Sequence, residues 1–107
     1  MSESFRVVHA KWDDAPQGPA QPGVAGRVVR TASLEVHHLV VERGGSSEWE
    51  PAPVETFVQV TEGRLRLHVL GNTMDLDPTR YAVLPPNIPF ALESLGRSGA
   101  TALVIRG

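Results

Sequence analysis

The chain has 107 residues, enough for one domain around one hydrophobic core and too few for two. Hydrophobic residues make up 41% and charged residues 21%, an ordinary globular composition, and a net charge of −2 gives no electrostatic footprint for nucleic acid or an anionic membrane. With no cysteine, disulfides, thiol nucleophiles and thiolate-bound zinc are excluded together. No apolar stretch approaches membrane-spanning length, and the first residues lack a charged-then-apolar secretory pattern, so the expectation is a cytoplasmic protein with no membrane partner.

Residues 13–26 (DDAPQGPAQPGVAG) interleave Pro16, Pro19 and Pro22 with Gly18, Gly23 and Gly26. Proline fixes φ and removes amide donors, so this stretch is predicted to wrap the surface as a loop within a single domain spanning residues 1–107. Short β-rich runs follow at 27–30, 34–41 (LEVHHLVV), 56–61, 64–70 (RLRLHVL), 81–84, 90–92 and 101–105. The alternation is clearest in RLRLHVL, where Leu65, Leu67 and Val69 share one face and Arg64, Arg66 and His68 the other. Glu62-Gly63 reads as a tight hairpin turn, and Gly71-Asn72 closes the next one. No segment keeps helical spacing long enough to make a helix. Many short strands separated by turn signals predict an all-β barrel or sandwich.

Two stretches then carry a resemblance. Residues 44–63 read GGSSEWEPAPVETFVQVTEG and residues 79–94 read TRYAVLPPNIPFALES. They are similar to the two motifs of the cupin family, and the likeness runs over roughly residues 23–105. The resemblance implies a single small double-stranded β-helix, the jelly-roll barrel of cupins, in preference to an immunoglobulin-like sandwich. It also implies where metal ligands would stand: at Glu50, Ala52 and Thr56 in the first motif and at Phe90 in the second. The spacing is kept and the ligands are not. Asn87 stands where the family has glycine, a sensible replacement because asparagine tolerates a left-handed backbone.

One carboxylate, Glu50, does not hold a transition metal tightly against water. The expectation is therefore no metal, no cofactor and no assigned catalytic residue. Thr56, Val58 and Val60 with Phe90 and Leu92 would line an apolar pocket or simply fill a core.

The other polar residues carry alternatives. His37 and His38 are adjacent on a strand and point to opposite faces, so they cannot both ligate one ion. If Leu39 and Val41 face inward, His37 does too and could reach Glu50; otherwise it is a hydrogen-bonded or surface histidine. His68 shares its face with arginines and reads as exposed or at a subunit contact. Glu48, Glu50 and Glu55 form either a solvated acidic loop or an acid–base pair. Trp49 either stacks on a ligand at the barrel mouth or plugs it. Pocket candidates are thus His37, Trp49, Glu50, Ala52, Thr56, Val58, Phe90 and Leu92. Two functions are compatible with this: a metal-free, cupin-like domain binding a small, largely apolar ligand or serving as a structural or sensory module, or an enzyme in which Glu50, His37 and Glu55 form an unorthodox site with or without a metal, for which the family resemblance implies isomerase or dioxygenase chemistry. The family resemblance also implies a homodimer, with the outward Phe57 and the Pro/Gly-rich stretch as contact candidates.

Overall fold

The structure, a computed structural model, describes residues 7–107. After a short 3-10 turn at Trp12–Asp14, the strands are β1 (Val24–Arg30), β2 (Glu35–Val41), β3 (Ser46–Trp49), β4 (Thr56–Glu62), β5 (Leu65–Val69), β6 (Asn72–Leu76), β7 (Tyr81–Leu84), β8 (Phe90–Ser94) and β9 (Ala100–Arg106). They form a five-stranded sheet ordered β1-β2-β9-β4-β7 and a four-stranded sheet ordered β3-β8-β5-β6. Every strand pair is antiparallel.

Period-two alternation decides which side chains meet between the sheets. Thr56, Val58 and Val60 of β4, Phe90, Leu92 and Ser94 of β8, and Ala100, Ala102 and Val104 of β9 all point inward and are buried. The apolar ones among them make one core with Leu65 and Leu67. Each valine, leucine or phenylalanine side chain so buried stabilises the fold by roughly 1.5–3 kcal/mol before conformational entropy is counted.

Four local expectations are corrected. Glu62-Gly63 is not a hairpin turn, because β4 and β5 belong to different sheets. The chain crosses between layers there, and it turns so that Val60 and Leu65 both enter the core. Gly63 is needed for the crossing: its φ is 78°, and a Cβ would lie 2.8 Å from the Gly99 carbonyl oxygen. The true hairpin joins β5 to β6 through Leu70-Gly71, one residue earlier than predicted, with φ of 49° and 79°.

The Pro/Gly-rich loop ends sooner than residue 26, since β1 already starts at Val24. Pro22 is the last residue of that stretch without an amide donor, and Val24 pairs with Val41 as soon as the Gly23 turn is made. Finally, β3 and β6 are additional strands. Both are edge strands of the smaller sheet, and only Ser47 of β3 and Leu76 of β6 are fully buried. Their ladders with β8 and β5 make them strands; their polar sequences carry little alternation to reveal it.

The turn at Asn87 behaves as expected. Asn87 takes φ 65°, and its N–H donates to the Ala52 carbonyl at 2.7 Å, tying the two motif regions together. Among the described residues, no helix is long and apolar enough to cross a membrane.

Candidate functional site

The register of the larger sheet stacks its inward residues in rows. Val28, His37, Val104 and Val58 form one row, and Gly26, Leu39, Ala102 and Val60 the next toward the core. At the opposite end, the last row is Arg30, Glu35, Arg106 and Thr56. The same alternation that builds the core thus ends in a line of charged and polar side chains at one barrel mouth. The smaller sheet contributes Trp49 and Phe90, which are paired in register on β3 and β8.

These groups touch in a defined order. Arg30 Nη2 stands 2.8 Å from Glu35 Oε1, and the same oxygen is 3.5 Å from His37 Nε2. The His37 ring meets Trp49 edge-on at 4.7 Å, and Trp49 stacks parallel on Phe90 at 5.5 Å. The Arg106 guanidinium carbon lies 4.9 Å from the Trp49 ring centre and 5.9 Å from that of Phe90. Arg106 Nε donates to Thr56 Oγ1 at 3.2 Å and Nη2 to the Glu50 carbonyl at 3.2 Å. Burial pushes the His37 imidazole below its ordinary pKa, with Glu35 opposing the shift. Burial lowers Arg106 too, again against Glu35.

A cavity of about 320 Å³ opens over this row. Its barrel wall includes His37, Leu39 and Trp49, and its other side comes from the N-terminal segment, including Pro19 and Gln21. That segment is a strap between the two sheets. Val28 N–H donates to the Pro16 carbonyl at 2.8 Å and Gly18 N–H to the Gly26 carbonyl at 2.9 Å, which binds the strap to β1. At its far side Gln21 Oε1 accepts from Glu48 N–H at 2.7 Å, and Gln21 Nε2 donates to the Glu48 carbonyl at 3.4 Å. A side-chain amide here supplies the backbone partner that the edge of β3 lacks.

Of the sequence candidates, His37, Trp49 and Glu50 stand on the cavity wall. Thr56 and Phe90 lie behind it, joined to it through Arg106 and Trp49. Val58 and Leu92 are fully enclosed in the core, so the space between the sheets at their level is filled. Ala52 is half-buried away from the cavity. His37 faces inward, as the alternation requires, but its carboxylate neighbour is Glu35 and not Glu50. Glu48, Glu50 and Glu55 are exposed, and Glu55 is not on the cavity wall. His38 points outward and stacks on Trp12 at 4.9 Å, while His68 pairs with Glu93 at 3.0 Å on the outer surface.

Arg30, Glu35 and Arg106 were absent from the sequence candidates. The signal for them was available: Glu35 is two residues before His37, and Arg106 two after Val104, so each shares a strand face with an inward residue. Their position at strand ends, where an inward side chain still reaches solvent, is what makes charge tolerable there.

The four family ligand positions do not suit a metal ion. Only Glu50 offers an ionisable donor, and Thr56 and Phe90 are already engaged by a guanidinium, a fixed positive charge. Among the described residues, no group of three or more His, Asp or Glu side chains is placed to hold a metal.

No protein-family model matches the sequence, and no curated protein does. Solved structures do match. The Cupin_2 domain of an XRE-family transcriptional regulator from Enterobacter cloacae superposes with a TM-score of 0.71 at 18% identity, covering 78% of this chain and 95% of that one. An RmlC-like cupin from Shewanella frigidimarina gives 0.75 at 14% identity, over 98% of this chain and 90% of its own. A sugar phosphate isomerase of the cupin superfamily from Silicibacter pomeroyi gives 0.76 at 19% identity, over 92% and 74%. One neighbour is a domain of a regulator and another an enzyme, so the likeness carries a fold and not an activity. With its two facing antiparallel sheets and these superpositions, the chain has the cupin fold.

Proposed function

We propose that this cupin barrel binds a small, largely apolar molecule in the cavity beneath its N-terminal strap, and that it does so without a metal. The observation that carries the reading is the Arg106 guanidinium, hydrogen-bonded to Thr56 and set over Trp49 and Phe90. It puts a positive charge beside two of the four positions from which cupins take metal ligands, and the site left over is a cleft with an aromatic wall. At about 320 Å³ the cavity falls within the size range of small-molecule pockets.

Two measurements test this. Elemental analysis of protein purified without a metal-affinity tag should find no stoichiometric iron, manganese, nickel or zinc; one equivalent of any of them would overturn the metal-free half. Gly26 faces the cavity, and a Cβ there would make ordinary contact with Leu39 Cδ2 at 3.4 Å, so Gly26→Val fills space without a clash at its first atom. Small molecules that raise the melting temperature of the native protein should fail to raise that of Gly26→Val. Equal stabilisation of both would remove the cavity as the site.

A homodimer belongs to the same reading. The outer face of the larger sheet carries Val29, Val36, Ile105, Phe57 and Val83 in one register row, with Val83 52% exposed. A row so apolar favours burial against a second copy. Light scattering that reports a monomer at micromolar concentration would overturn it.

A further inference from the structure

A guanidinium has five N–H donors in a rigid plane. Arg106 commits Nε to Thr56 Oγ1 and one Nη2 hydrogen to the Glu50 carbonyl, both of them uncharged acceptors. Both Nη1 hydrogens and the second on Nη2 have no acceptor among the described residues. Nor does any carboxylate among those residues come within ion-pair distance of Arg106. The nearest in register, Glu35, spends its oxygen on Arg30 at 2.8 Å and on His37 at 3.5 Å. The row at the mouth therefore holds two cations to one anion.

This unpaired cation is also held in place. The two hydrogen bonds fix its plane, and the stacked Trp49 and Phe90 rings support its face. Holding a guanidinium half out of water without a counter-ion is costly, and a preorganised fork lowers the entropy lost when an anion arrives. Arg106 borders the cavity and also a shallow depression on the other side of the row, so space reaches it from both directions. Glu48 and Glu50, also on the cavity wall, oppose an anion, but both are exposed and screened by solvent.

We infer that the molecule taken into this cavity carries a carboxylate, which pairs with the free edge of Arg106 while a flat apolar body lies against Trp49 and Leu39. The inference rests on the ligand-binding reading above and adds the chemical class of the ligand.

Benzoate, benzyl alcohol and benzylamine share one ring and differ in charge, so they serve as probes. Titration calorimetry on the unmodified protein should rank benzoate above benzyl alcohol by about tenfold or more, the difference between charge-assisted and neutral hydrogen bonding, with benzylamine weakest. Trp12→Phe leaves Trp49 as the only tryptophan, and benzoate should perturb its fluorescence. Arg106→Gln, and Arg106→Lys as a variant that keeps the charge but loses the fork, should lower benzoate affinity by a larger factor than that of the alcohol, so that the gap between the two narrows. An undiminished gap in a folded Arg106→Gln would overturn the Arg106 anchor. Equal affinity of native protein for benzoate and benzyl alcohol would overturn the carboxylate anchor and leave the cavity reading intact. Binding of none of the three would overturn both. The ranking is read on native protein, so it decides the matter even if the Arg106 variants fail to fold.

Discussion

The same strands build two different barrel ends. On β2, Leu39 and Val41 point into an aliphatic core, whereas Glu35 and His37, on the same face, belong to a charged and aromatic mouth. On β9, Ala100, Ala102 and Val104 give way to Arg106 in the same fashion. The core end is held by close packing of Leu65, Leu67, Leu92 and the valines of β4. The mouth is held by a few directional contacts and a strap. Stability and the proposed binding are thereby separated along the strand axis, and each can be perturbed with limited effect on the other.

The largest expected effect comes where the two ends meet. Phe90 is buried in the core and is also stacked on Trp49, so Phe90→Ala should cost roughly 3–5 kcal/mol in urea unfolding and loosen the Arg106 platform as well. A cost below about 1 kcal/mol would mean that the aromatic stack collapses without consequence. Leu92→Ala should cost about 2–5 kcal/mol, with Leu39→Ala nearer the low end because Leu39 already borders the cavity. Equal costs would erase the distinction between a filled core and an open mouth.

Gly63→Ala should cost roughly 1–3 kcal/mol, since the variant must accept φ 78° and move its Cβ away from the Gly99 carbonyl. Removal of the strap's side-chain pairing by Gln21→Ala should cost about 1 kcal/mol, with faster hydrogen exchange at the Glu48 amide as its local signature. Unchanged exchange there would show that the strap is held elsewhere.

The smallest effect is one of pH. Burial holds His37 below its ordinary value of 6.5, so the unfolded chain takes up a proton there before the fold does. Stability contributed by the neutral ring is complete above about pH 6.5 and declines as pH falls toward the folded-state pKa. His38 shifts in the same direction, also by burial. The melting temperature should therefore drop from about pH 7.5 to about pH 5.5, and drop less in His37→Gln. Identical slopes in the two proteins would remove His37 from the account.

Much of the fold was legible because hydrophobic alternation is a local property. RLRLHVL, TFVQVT and the β9 run each declare their inward face without help from the rest of the chain. The Ser46–Trp49 and Asn72–Leu76 strands were not legible, since edge strands acquire their hydrogen-bond partners from elsewhere and bury little. The candidate site was half visible. His37, Trp49 and Glu50 could be named from their faces and from the motif spacing. Arg30, Glu35 and Arg106 come together only through the pairing of β1, β2 and β9, across 76 positions of sequence from Arg30 to Arg106.

By itself the sequence determined that this is an all-β chain, which residues alternate inward, and that three of the four family ligand positions carry no ionisable side chain. Those are consequences of side-chain chemistry at a spacing of two residues or at fixed motif intervals. The tertiary structure decided that the core is filled, that the cavity lies at the mouth, and that Arg106 stands there without a carboxylate partner among the described residues. These depend on register between strands distant in the chain and on volume between two sheets, and neither quantity is written in any local run of residues.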